Sequence, residues 1–161
     1  LEAREVEDSF HARYDVVSKE YEYKIWNGSS KNPFLADRAH YLPKRVSDET
    51  LASMNLAASA FVGMHDFSSF MAQGSKITDP RRTVHYADVR REGDMLIFRV
   101  AADGFLYNMV RIMMGTLIDV AQGRIAPDAV SAVLSAKNRQ LAGATAPAHG
   151  LYLNRVTYKE E

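Results

Sequence analysis

Residues Thr83 to Gly104 read "TVHYADVRREGDMLIFRVAADG", and what surrounds this stretch decides the fold. Two strand-like arms flank Glu92-Gly93-Asp94, which has the composition of a hairpin turn. The second arm places Leu96, Phe98 and Val100 on one face, as a side-chain period of two requires. The first arm alternates poorly, so its register is open.

Toward the N-terminus, "SDETLASMNLAASAFVG" from Ser47 to Gly63 predicts a helix. Ser47 or Asp48 serves as the N-cap, Leu51, Met54, Ala58 and Phe61 recur at helical spacing, and Gly63 ends it. Before it, residues 27–47 contain Pro33 and Pro43 without clear period, predicting an irregular connection that hides a short strand. Earlier still, "SKEYEYKIWNG" puts Tyr21, Tyr23 and Ile25 on one strand face and Glu20, Glu22 and Lys24 on the other, ending at Asn27-Gly28. Between helix and hairpin, "HDFSSFMAQGSKITDPRR" reads as a packed turn followed by a loop whose tip is a candidate contact surface.

Toward the C-terminus, "GFLYNMVRIMMGTLIDV" from Gly104 to Val120 predicts a second helix ending near Gly123, and "APDAVSAVLSAKNR" a third with Pro127 in its first turn. A small-residue loop, "AGATAPAHG", leads into a last strand, "LYLNRVTY". With the two late helices counted as one crossover, the order is the split β-α-β-β-α-β of ferredoxin-like α+β domains, a mainly antiparallel sheet with helices packed on one face. Residues 1–161 are expected to form one domain, with residues 1–8 frayed.

Acids and bases balance at a net charge of zero, which argues against a nonspecific polyanion binder but permits a local basic groove. With no cysteine there are no disulfides, thiolate metal sites or cysteine nucleophiles. Asn108, Arg111 and Asp119 interrupt the longest apolar run, so no stretch reaches the roughly 18 apolar residues of a membrane span. The first ten residues have no signal-peptide pattern, and a cytoplasmic location is expected.

Asn108, Arg111, Gly115 and Asp119 share one stripe of the second helix. Periodicity leaves Arg111 undecided between a solvated face and a lined groove. His65-Asp66 lacks a serine or cysteine elbow, so a helix-end turn is expected there rather than a catalytic dyad. The other histidines show no ligand spacing, and no phosphate-binding glycine fingerprint occurs, so neither a structural metal nor a nucleotide cofactor is expected. The basic residues Arg13, Lys19, Lys76, Arg81, Arg82, Arg90 and Arg91, near Tyr21 and Tyr86 if the sheet pairs as described, suit either RNA contact or edge protection.

Read together, "DSFHARYDVVSKEYEYKIWN", "GMHDFSSF", "GFLYNMVRIMMGTLIDV" and "AKNRQLAGATAPAHGLYLNRV" resemble, in order and spacing, the latter part of the bacterial tRNA pseudouridine synthase A family, from about Asp8 to Tyr158. The resemblance implies a homodimeric isomerase without cofactor or metal. It implies that uridine in a tRNA anticodon stem-loop is detached at its glycosidic bond, turned and rejoined through carbon five. Carried over residue by residue, Tyr21 is the ring that stacks on the target base, Lys19 a basic neighbour, Arg111 the partner of the catalytic aspartate and Leu151 an apolar pocket wall. Arg13, Lys76, Arg81 and Arg82 are expected along the RNA path. The family's nucleophilic aspartate lies upstream of the "FHAR" motif, so this chain resembles a C-terminal half, inactive alone. Glu20 and Glu22 stand where members often have uncharged or basic residues. A stand-alone RNA-binding or regulatory module and a dimerisation domain are the alternative expectations.

Overall fold

A computed structural model describes residues 5–74 and 77–159. The hairpin is present: strand β4 (Arg81–Glu92) and strand β5 (Met95–Ala102) pair antiparallel around a two-residue turn. Gly93 takes a φ of +59° there, a conformation that a side chain resists. Phe98 faces Val89 and Val100 faces Ala87, but the register shifts between Val84 and Tyr86. That extra residue is a β-bulge. It turns Val84 and Val89, five positions apart, into the same core, which is why the first arm does not alternate.

Strand β1 (Val16–Trp26) pairs antiparallel along the other edge of β5, with Tyr21 opposite Val100, Tyr23 opposite Phe98 and Ile25 opposite Leu96. Strand β6 (Leu151–Tyr158) lies antiparallel on the outer edge of β1. The four long strands therefore run β6-β1-β5-β4, the arrangement of the split β-α-β-β-α-β fold. Two short strands extend it: β2 (His40–Tyr41), the strand hidden in the proline-containing connection, is parallel to the end of β1, and β3 (Gly63–Asp66) pairs with β4.

Helix α1 (Asp48–Ser59) crosses from β1 to β4 and opens with the Ser47 hydroxyl accepting from the Thr50 amide at 3.2 Å. Helix α2 (Met109–Ala121) packs against α1 and β1. Pro127–Ala129 form a 3-10 turn that runs into the short helix α3 (Val130–Ser135). One contiguous core joins Tyr23, Ile25, Phe98 and Val100 of the sheet to Met54, Met109, Ile112, Met113 and Leu117 of the helices. The opposite sheet face carries charge, with Glu22 accepting from Arg99 at 2.7 Å.

Asn27 does more than end a strand. Its amide is fully buried, donates to the carbonyls of Leu42 and Lys44 and accepts from the Val46 amide, each at 2.9 Å. One side chain thus supplies the backbone partners that the irregular connection cannot find in a ladder.

Three local expectations are corrected. The second helix starts at Met109, not Gly104, because Asn108 has a φ of +60° and a left-handed residue cannot propagate a right-handed helix. His65-Asp66 is an edge strand rather than a helix-end turn, with His65 opposite Arg82 and Asp66 opposite Arg81. Phe61 falls just after α1, fully buried against Phe70.

Of the solvated face and the lined groove that periodicity leaves open, the structure shows neither beside Gly115, where the chain itself packs against the helix. A Cβ on Gly115 would run into the Ala144 carbonyl oxygen, and one on Gly143 into the backbone of Gly115 and Thr116. The buried Thr116 hydroxyl donates to the Ile112 carbonyl and accepts from the Gly143 amide, both at 2.9 Å. Gly115→Ala or Gly143→Ala should therefore destabilise this chain by at least about 2 kcal/mol, since backbone rather than a pliable side chain must move. Denaturant unfolding with an unchanged m-value is the check.

Candidate functional site

Tyr21 and Tyr23 point to the same face of β1, but burial separates them. Tyr23 is fully buried and its hydroxyl donates to the Pro147 carbonyl at 2.7 Å. Burial pushes its ionisation well above the ordinary tyrosine range, with the Arg111 charge opposing weakly. Tyr21, at the middle of β1, is half-buried, with its ring edge-on to Phe105 at 5.1 Å between centroids. Glu20 and Glu22 leave the opposite face, where they meet Asn154 and Arg99. The two carboxylates are therefore not in the Tyr21 environment, whatever their place in the sequence.

Tyr21, Phe105, Leu106, Tyr107, Asn108 and Leu151 line a cavity of about 250 Å³. Leu151 reaches it because β6 begins directly opposite Tyr23. Phe105 reaches it because the segment before α2 is not helical, a consequence of the left-handed Asn108 that spacing alone does not reveal.

Arg111 sits one helical turn beyond Asn108, half-buried. Its Nε donates to the Ala146 carbonyl at 2.7 Å and its Nη1 to the Asn108 Oδ1 at 3.0 Å. In return the Ala146 amide donates to the Arg111 carbonyl at 3.1 Å. Both guanidinium acceptors are neutral, so the positive charge is held in place without being neutralised by them. The loop that supplies Ala146 is fixed in turn by Tyr23, Thr116 and Arg139, whose guanidinium donates to the Ala142 and Gly143 carbonyls. These acceptors are backbone atoms of small residues, which explains why no side-chain pattern announced them.

Next to this cavity, and sharing Phe105 with it, a second groove of about 470 Å³ is lined by Arg13, Tyr14, Lys19, Arg81 and Arg82, with Asp103 as its one acidic member. Four of the basic residues picked from the sequence thus converge beside Tyr21. They differ in state. Asp79 accepts from Arg81 Nε at 3.0 Å and from Nη2 at 2.8 Å, and the Arg81 bonds hold the Asp79 carboxyl below the usual carboxylate range. Arg82 instead donates to the carbonyls of Asp79 and Arg81, acceptors without net charge. Lys76 lies outside the described residues.

The remaining basic candidates are elsewhere. Arg90 pairs with Asp88, and Arg91 donates to the Val46 carbonyl at the far end of β4. Tyr86 is opposite Ala101, which is opposite Glu20, so its ring leaves the face away from Tyr21. The register shift at His85 is what puts it there. Among the described residues no group of three or more His, Cys, Asp or Glu could hold a metal ion, and no helix is long and apolar enough to cross a membrane.

A family model for tRNA pseudouridine synthase matches residues 57–159. The chain belongs to the tRNA pseudouridine synthase family. It is 46% identical over 157 residues to tRNA pseudouridine synthase A of Anoxybacillus flavithermus, covering 98% of this chain and 62% of that relative. With the synthase of Bacillus pumilus the identity is 45% over 158 residues, covering 98% and 63%. With that of Bacillus subtilis it is 41% over 157 residues, covering 98% and 62%. The chain thus spans less than two thirds of the length of these tRNA pseudouridine synthases.

A larger cavity, about 640 Å³, lies between Trp26, Leu35, Tyr41, His40 and His149. Burial, and then the charge of His149 6.3 Å away, lower the His40 pKa from 6.5. A lowered histidine favours its neutral form on folding, so the contribution is present above the unfolded value and is lost as pH falls through it. The chain should lose stability on acidification below about pH 6.5, and His40→Gln should flatten that dependence in unfolding curves recorded from about pH 7 to 5.

Proposed function

We propose that this chain forms the base-binding and arginine-bearing side of a tRNA pseudouridine synthase cleft. One observation carries the proposal: Tyr21 and Leu151 share a cavity with Asn108, the residue that holds Arg111, in a chain of this family. The substrate is a uridine of tRNA, in the anticodon stem-loop, and the intact enzyme is a cytoplasmic homodimer.

The reaction is an isomerisation. The bond from ribose C1′ to N1 breaks, one from C1′ to C5 forms, C5 loses its proton and N1 gains one, so no co-substrate is consumed. Tyr21 stacks on the uracil once it leaves the helix, which costs a few kcal/mol of unstacking that an aromatic surface offsets. Arg111 pairs with the nucleophilic aspartate, supplied from outside these 161 residues. Leu151 and Phe105 keep water from that pair, which strengthens it. The groove of Arg13, Lys19 and Arg82 carries the neighbouring phosphates, and Lys76 belongs to the same path. Residues 1–161 form one folding unit in this reading.

Purified full-length protein should convert uridine to pseudouridine in tRNA, whereas this chain alone should not; turnover by the chain alone would relocate the nucleophile. Arg111→Met should abolish turnover in the full-length protein while costing this chain no more than about 1–2 kcal/mol, the scale of the hydrogen bonds lost.

The two groove arginines should separate by salt dependence of tRNA binding. Arg82→Ala should lower the slope of log K against log salt by about one, as loss of one phosphate contact does. Arg81→Ala should change it less, because Asp79 already opposes that charge. Equal slopes for both variants and the parent would remove the groove from the RNA path.

A further inference from the structure

Asn108 occupies a backbone conformation that argues against its own presence. At φ +60° and ψ +10°, an asparagine is tolerated but a glycine is easier. The usual reason for an asparagine at a helix N-cap is a side-chain hydrogen bond to the first-turn amides. Asn108 makes none. Its Oδ1 accepts from Arg111 Nη1 at 3.0 Å instead.

The consequence lies in the guanidinium. A planar group held at Nε by the Ala146 carbonyl and at Nη1 by Asn108 has its plane and rotation fixed by two acceptors in different directions. Nη2 has no acceptor among the described residues. With Asn108 also lining the Tyr21 cavity, the left-handed turn sets one short side chain against both the arginine and the wall of the base pocket.

We infer that Asn108 is a positioning residue: its carboxamide aims Arg111 so that Nη2 presents to the carboxylate partner of the reaction, and the left-handed backbone exists to put that carboxamide there. This rests on the function proposed above. Aspartate pairing is specific to guanidinium orientation, and displacement of a reacting group by about 1 Å costs on the order of a hundredfold in rate. The carboxamide therefore acts on the chemical step and not on tRNA affinity.

Asn108→Gly and Asn108→Ala distinguish side chain from backbone, because glycine keeps the left-handed conformation and alanine resists it. In the full-length protein, kcat and KM on a tRNA transcript are measured for both variants, for Arg111→Met and for the parent, alongside unfolding midpoints. Asn108→Gly should hold its midpoint and its KM while kcat falls about tenfold or more. Asn108→Ala should show the same loss of kcat together with a lower midpoint. Parental kcat in Asn108→Gly would show that only the backbone matters and would overturn the inference. A raised KM with parental kcat would overturn it too, by making the carboxamide an RNA contact. A parent without pseudouridine formation, or Arg111→Met with full turnover, would instead bring down the functional proposal on which the inference stands.

Discussion

The contact on which the rest of this structure depends is backbone against backbone. Residues 142–147 lie directly on α2, possible only because Gly115 and Gly143 carry no side chains where the two segments meet. Close approach makes short-range bonding available that bulkier residues would forbid: Thr116 to Gly143, Ala146 to Arg111 in both directions, and Tyr23 to Pro147. Each bond satisfies a buried or half-buried polar group that would otherwise stand alone, at a cost of roughly 1–3 kcal/mol apiece. The same loop leads into β6 and delivers Leu151 to the Tyr21 cavity.

This arrangement gives the site its electrostatic character. Arg111 is pinned by neutral acceptors, so its charge is fixed in place without being neutralised by them. The sheet's opposite face does the reverse, with Glu22 lying between Arg99 and Lys24. A neutral total charge thus separates into a self-compensated face and an end where Arg13, Lys19 and Arg82 stand beside an aromatic cavity. Net charge reports on neither.

Most of the fold was legible because its signals are local. The alternation of Leu96, Phe98 and Val100 and the glycine of the hairpin turn act within a few residues, and the structure has them where the spacing puts them, while of Ser47 and Asp48 it takes Ser47 as the cap. The bulge at His85 was not legible, since an unpaired residue leaves only an absence of pattern. The start of α2 is not legible either, because the run from Gly104 onward looks apolar and helical by composition, while the break depends on the backbone of Asn108. Arg81 and Arg82 look equivalent in sequence and are not, as Asp79 neutralises one of them.

By itself the sequence determined the order of long strands and helices, the face of β1 that carries Tyr21 and Tyr23, and, through its long ordered motifs, membership of the tRNA pseudouridine synthase family. Side-chain periodicity and turn chemistry are properties of neighbours along the chain, so a linear reading reaches them. Only the tertiary structure decided that Arg111 rests on Ala146 and Asn108, that Phe105 walls the Tyr21 cavity, and that Arg90, Arg91 and Tyr86 stand apart from the basic groove. Those outcomes follow from a bulge, a left-handed residue and two glycines, places where backbone geometry departs from regular repeats. Carbonyl groups, identical at every position in the sequence, become specific only when the fold aims them.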